Sequence, residues 1–472
     1  MGKRTLSVAL LATAMLTVAG CSGGGSTDAG ETAAAPVNPD GVSGDITVLT
    51  NRTDLVEDGT MKKYAAEFNK TYPDVKVKFE GLTDYEGEVK IRMNTEDYGD
   101  VLLIPSAVAK GDYPKFFAPL GETSSMKPKY RFTDKTDVDG KTYGIATFGT
   151  ANGLVYNKAL FKKAGITDWP TTTEQFLADL KAVKDKTGAT PYYTNFKDGW
   201  PLESPWTNSV GSISCDTQSH DKLAEMDEPW AEGNDLNTLD TLLYDIVHEK
   251  LSEKDPATTN WESSKTLLAK GKVGSMVLGS WAINQMRDAA EKAGQNPDDI
   301  GFMPLPSQKD GTFCSTLVSD YQQAVNIHSD HKEAARAWID WFTEKSGYAA
   351  KEGAVSALKS EGLPETLKDY VDNDVKTIER SAARTAEVDA IDNASEIGLN
   401  KPDYRKKLID TARGATDGSL KSYFDDLNKR WAEARQTGPA CAQHPPGPRP
   451  ASPERDPAPS ALSGRRKALT PR

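Results

Sequence analysis

The chain has 472 residues, 37% hydrophobic and 27% charged, with four cysteines, nine tryptophans and a formal net charge of −12. That content supports a core of ordinary size, in roughly two to three domains at about 150 residues each, and excludes wholesale disorder. The acidic balance excludes the basic face that nucleic-acid binding requires. Positive charge gathers at the ends: Lys3 and Arg4 at one, and Arg449, Arg455, Arg465, Arg466, Lys467 and Arg472 against Glu454 and Asp456 at the other. The body between is therefore about six charges more acidic than the chain as a whole.

In chain order, the first element is an apolar run from Leu6 to Val18 behind Lys3-Arg4. It has the basic and apolar regions of a secretory signal and is too short for a comfortable membrane span. It ends in Val18-Ala19-Gly20-Cys21, which resembles the bacterial lipoprotein signal, whose cysteine receives the lipid; residues 1–21 are read as that signal. Residues 22–44, rich in Gly, Ser, Ala and Pro, read as a flexible tether. The expected address is the outer face of a cell membrane, with a lipid on Cys21.

Strands and helices then alternate. Ile46–Leu49 reads as a buried strand, Met61, Tyr64, Ala65 and Phe68 share one helical face, Val75–Phe79 alternates as a strand, and Val101–Ile104 stops at Pro105. This order predicts an α/β fold with a mostly parallel, doubly wound sheet. A second set follows: a strand at Gly153–Tyr156, a helix opened by a Thr171/Glu174 capping box, and an apolar strand from Val273 to Leu278. A strand at Tyr321–Ile327 leads into a helix capped by Asp330, with Trp338, Trp341 and Phe342 facing inward. Residues 361–436 read as mainly helical, and the proline-rich stretch 437–472 as a disordered tail. Two α/β sets predict two lobes: residues 45–150 and 319–360 in the first, residues 151–318 and most of the helical end in the second.

No GxSxG, Walker A, GxGxxG, CxxC or HExxH pattern occurs. His328 and His331, three apart before a helix, read as polar loop residues, and neither a metal nor a cofactor is expected. The tryptophans are more informative. Trp200 and Trp206 flank a proline-bearing loop, and Trp281 follows an apolar strand at the end where open α/β sheets bind ligands. Indole faces suit the CH face of a sugar ring. Cys215 and Cys314, the only cysteines of the body, are a candidate disulfide in an oxidising compartment.

These segments resemble, in order, the extracellular solute-binding proteins of ABC importers, in the carbohydrate-type cluster that includes maltose-binding protein. The likeness runs from about Gly44 to Arg435. It rests on Asn51-Arg52-Thr53-Asp54 after the first strand, Tyr143–Ala146 and Leu154–Lys158 near the lobe crossing, Trp169–Glu174, Gly279-Ser280-Trp281-Ala282, and Gly353–Ser360 near a late hinge. The resemblance implies a two-lobed periplasmic-binding-protein-like fold and an interlobe cleft holding a sugar. It also implies a permease as partner, a monomer, and no catalytic residue. Expected ligand contacts are Arg52, Asp54, Ser106, Asn152, Asn195, Trp200, Trp206, Trp281, Asp320 and Tyr321. Where maltose-binding protein has a polar and acidic sugar contact, this chain reads Pro105-Ser106-Ala107, so maltodextrin specificity is not implied; Asp112 is a substitute if its loop folds back. The alternatives are a surface-tethered glycoside hydrolase and a binding protein for a cationic solute such as a polyamine.

Overall fold

The computed structural model describes residues 32–36 and 38–437. The signal segment with Cys21, the first part of the tether and the tail beyond Thr437 lie outside the described residues.

Two sheets organise two lobes. The first runs Val75–Gly81, Gly44–Thr50, Val101–Leu103, Gln322–Asn326 and Phe117–Ala118, with Ile145–Ala146 also on Gln322–Asn326. The first three strands are parallel, with Ile46 beside Val77 and Val48 beside Val101. The helix Thr60–Phe68 crosses between the first two and buries Met61, Tyr64 and Phe68, the face the apolar spacing predicts. The helix Lys332–Glu344 lays Trp338 and Phe342 under the same sheet, Trp338 meeting Phe68 and Phe79 edge-on at 5.3 Å.

The second sheet runs Thr190–Tyr192, Val273–Gly279, Gly149–Asn157, Thr312–Ser319 and Gln308–Lys309. Ile300–Met303 adds to Gly149–Asn157, and Lys376–Glu379, inside the region expected to be helical, pairs parallel with Thr312–Ser319. Every residue of Gly149–Asn157 and of Val273–Gly279 is buried, because helices cover both faces. The expected two-lobed α/β architecture is present, but its sheets are mixed rather than mostly parallel. Gly149–Asn157 and Thr312–Ser319 enter and leave the second lobe side by side, so they run antiparallel to each other. Gln322–Asn326 likewise re-enters the first lobe against Val101–Leu103.

The chain passes between lobes near residues 146–149 and 319–322, and again around Val355, which bridges to Gly149 while Leu358 bridges to Tyr130. The second lobe closes on Trp206, Trp230 and Trp431. Inside it, Arg405 and Asp240, both fully buried, pair at 2.9 Å, and Asp240 also accepts from the Trp230 indole at 2.9 Å. Those extra bonds offset the desolvation a buried ion pair suffers.

Local details differ from expectation. Thr172, not Thr171, caps the helix Thr173–Thr187 by accepting from the Gln175 N–H, while the Gln175 amide oxygen accepts from the Thr171 N–H at 2.7 Å. The capping pair thus sits one residue later. His331 rather than Asp330 precedes the helix Lys332–Glu344, with no side-chain cap. The expected tether also ends early: Ala33 is buried in the first lobe, its N–H donating to the Pro119 carbonyl at 2.9 Å and its carbonyl accepting from Arg336 at 3.1 Å. A small side chain and two satisfied backbone groups suffice to dock this strip. Cys215 and Cys314 are disulfide-bonded, tying the loop before residue 219 to the strand Thr312–Ser319.

Candidate functional site

The carboxyl end of the first strand opens into a pocket of about 80 Å³, lined on its polar side by Thr50, Asn51, Arg52, Thr147, Asp320 and Gln323, and closed by Phe148 and Tyr348. Arg52 is half-buried and held by three neighbours. It bonds both Asp54 oxygens at 2.7 and 2.9 Å, Glu352 at 2.8 Å and the Tyr348 hydroxyl at 3.0 Å. Burial works against its charge, but the Asp54 bonds together with Tyr348 and Glu352 hold its pKa above the usual arginine value. The fork is thereby fixed in one orientation at the mouth.

Asp320 stands at the lobe crossing. Its carboxyl accepts from the Thr147 hydroxyl at 3.5 Å, and burial raises its pKa against the pull of the Tyr321 N–H and Lys135. Solvent reaches Lys135, yet enough protein surrounds its ammonium for burial to lower its pKa. Beside them Glu86 draws two expected residues together: one oxygen accepts from the Tyr321 hydroxyl at 2.8 Å, the other from the Ser106 N–H at 2.9 Å and hydroxyl at 3.0 Å. Asp112 does not fold back, because it is held at the surface by Lys115 at 2.6 Å.

The second lobe contributes an indole cluster. Trp200, Trp261 and Trp281 are each half-buried, packed against the core that holds Met276 and Leu278; Trp200 lies 5.0 Å from Trp261 and 5.8 Å from Trp281, and Trp261 lies 5.8 Å from Trp281. Trp281 lies against Gly279, where an added Cβ would come within 2.6 Å of the indole nitrogen, so only glycine admits the ring there. Ser280, buried beneath, bonds Thr150 Oγ1 and the Ala151 N–H, each at 3.1 Å, and the Trp281 N–H donates to Thr150 Oγ1 at 3.4 Å. Thr147 and Phe148 line the first-lobe pocket, and Thr150, which accepts from the Trp281 backbone N–H, follows on the same run of chain as it enters the second lobe.

Three expected contacts fall elsewhere. Trp206 is fully buried in the second lobe, beside Tyr192 at 6.4 Å, because the helix Ser204–Thr207 turns the ring under the loop. Asn152 is 1% exposed, its amide donating to the Thr316 carbonyl and hydroxyl inside the sheet, both at 3.3 Å. Asn195 is fully buried at a positive φ of 55°; its amide meets Met276 sulfur at 3.2 Å, and its Oδ1 has no partner in the described residues. None of the three presents a surface to a ligand. Trp261 was not anticipated. It opens a helix behind Asn260, which caps that helix, and Asn-Trp at a helix start outside any apolar stripe was the available signal.

Two lobes with crossing strands, a polar pocket on one side and clustered indoles on the other define a solute-binding protein rather than a site built around a nucleophile or metal. The sequence profile of the bacterial extracellular solute-binding proteins matches residues 52–349, and the chain belongs to that family. Among solved structures it is similar to an ABC-transporter binding protein of Bifidobacterium animalis subsp. lactis in complex with mannobiose, with TM-score 0.74, 33% identity, and coverage of 85% of this chain and 96% of that one. A manno-oligosaccharide-specific solute-binding protein of the same organism, in complex with mannotriose, gives TM-score 0.75, 30% identity, and coverage of 87% and 100%. A multiple sugar-binding protein of Streptococcus mutans is 24% identical over 61% of this chain and 68% of its own length. A diacetylchitobiose-binding protein of Streptomyces coelicolor is 26% identical over 78% and 84%.

Proposed function

We propose that the protein binds a neutral oligosaccharide of the manno-oligosaccharide class between its lobes and delivers it, chemically unchanged, to a membrane permease. In this reading it works as a monomer, moored by a lipid on Cys21 at the outer face of the cell membrane. The observation that carries the reading is the half-buried indole trio of Trp200, Trp261 and Trp281, held through Thr150 to the run of chain that leaves the polar first-lobe pocket. The indoles take the CH faces of the sugar rings. Arg52, Asp54, Ser106, Asp320 and Tyr321 supply donors and acceptors for hydroxyls. A ligand touching both lobes favours the closed arrangement by its differential affinity for it, with residues near 146–149, 319–322 and 355 as hinges.

The mannobiose- and mannotriose-bound relatives, at 33% and 30% identity, support mannose units as the ligand. Calorimetry with mannobiose, mannotriose, raffinose and diacetylchitobiose tests this. Tight binding of the mannosides with at least tenfold preference supports it; no binding of any of the four, with a response to a polyamine, returns the cationic-solute alternative. Shorter sugars recovered after incubation would favour the hydrolase.

A further inference from the structure

On the first lobe, separated from the site pocket by the rings of Tyr64, Phe342 and Tyr348, Lys63, Lys70, Lys345 and Lys351 surround a shallow basin of about 510 Å³ whose wall includes Trp341 and Tyr64. Glu67 is the one carboxylate lining it, and Lys70 pairs with it at 2.7 Å. Lys351 rests over the Tyr64 ring at 4.4 Å, and Lys63 and Lys345 have no ion-pair partner among the described residues. Trp341 is half-buried, packed on Phe68 and Trp338 at 5.7 and 5.8 Å, and its indole N–H has no protein acceptor among the described residues. A cationic basin around an indole is out of keeping with so acidic a body.

Its position supplies the occupant. Eleven peptide steps separate Cys21 from Thr32, a reach of at most about 40 Å. The chain then docks at Ala33, on Arg336 of the helix Lys332–Glu344. Trp341 and Lys345 lie on or just past that same helix, about 8 and 14 Å further along its axis. A lipid on Cys21 would keep the first lobe within about 40 Å of the bilayer, near enough for the cationic basin to meet its anionic surface. We propose that the lysine basin rests on anionic phospholipid headgroups, with Trp341 at headgroup level, orienting the cleft relative to the membrane. This depends on the lipid-anchoring reading above and is independent of which sugar binds.

The test uses the full lipoprotein reconstituted on vesicles of neutral phosphatidylcholine, with and without 30% phosphatidylglycerol. Flotation on neutral vesicles reads the anchor; amide hydrogen exchange reads the basin. At low salt, exchange across residues 60–71 and 341–351 is expected to slow by about fivefold or more on the anionic vesicles only. Lys63→Glu with Lys345→Glu should abolish that slowing while leaving flotation and sugar affinity unchanged. A chain that does not float on neutral vesicles overturns the anchoring reading and this proposal together. A chain that floats on both but exchanges identically overturns the proposal alone, as does protection that needs the permease and not the anionic lipid.

Discussion

Replacing Trp281 with Ala tests the indole wall most sharply. Its ring sits on Gly279 and meets both Trp200 and Trp261 at 5.8 Å, so neither neighbour can fill its place without leaving the other. A stacked sugar ring covers roughly 50 Å² of indole and loses about as much of its own apolar surface, or ~100 Å² in all, which at ~25 cal/mol per Å² is about 2.5 kcal/mol. That corresponds to a Kd raised about 60-fold at 25 °C. If Trp200 and Trp261 slide inward, part of the contact is regained and the loss falls to about 1 kcal/mol, still fivefold. Calorimetry with mannotriose reads the change, with circular dichroism and urea unfolding confirming that the variant is folded. A folded variant binding within twofold of the parent refutes the wall.

Other predictions follow from the interior. Trp206→Ala should cost about 3–5 kcal/mol in urea unfolding, the range for a fully buried aromatic ring, and leave the sugar affinity of the folded fraction unchanged; a selective loss of affinity would return Trp206 to the site. Cys215 and Cys314 are 99 residues apart, so replacing both with Ser should lower stability by about 2–4 kcal/mol, below the ~4.7 kcal/mol loop-closure limit. Free thiols in a non-reducing mass spectrum of the parent would contradict the bridge. His220 is buried, and burial followed by Arg380 lowers its pKa to about 4. Its folded value lies below its unfolded one, so the unfolded state takes up the extra proton and stability falls as pH drops from about 6.5 to 4, by about 2–3 kcal/mol. Asp221, lowered to about 2, extends the loss below pH 4, whereas the raised carboxyls of Asp320, Glu253 and Asp235 act in the opposite sense. A His220→Gln variant with an unchanged pH profile would show that His220 does not carry the effect.

The periodic elements were legible because burial follows spacing. Met61, Tyr64 and Phe68 recur at helical intervals, and the apolar run of Val273–Gly279 has no polar face to spare. The direction of strand pairing was not legible: whether Gly149–Asn157 runs with or against its neighbours depends on which lobe the chain came from, and no local pattern records that. Within the site, Trp281 and Trp200 sit together as ligand-facing candidates, while Trp206 looked alike in sequence and turned inward. Two indoles six residues apart in a proline-rich loop differ only in a short turn, Ser204–Thr207, that no periodicity announces. Asn152 and Asn195 read as ligand contacts because their amides suit hydroxyl groups, yet the interior of the second lobe holds both. Trp261 joins the cluster from 61 residues away along the chain, a proximity visible only after folding. His331 shows the same limit: its ring occupies the space a Cβ on Gly44 would need, at 2.5 Å, a close approach that accounts for both the glycine and the histidine without any metal.

The most direct measurement follows mannotriose itself: calorimetric titration into the protein, then mass analysis of the sugar released from the complex. Saturable binding with recovery of intact trisaccharide is the predicted result. Failure to bind any neutral oligosaccharide, or recovery of mannose and mannobiose, would contradict the account.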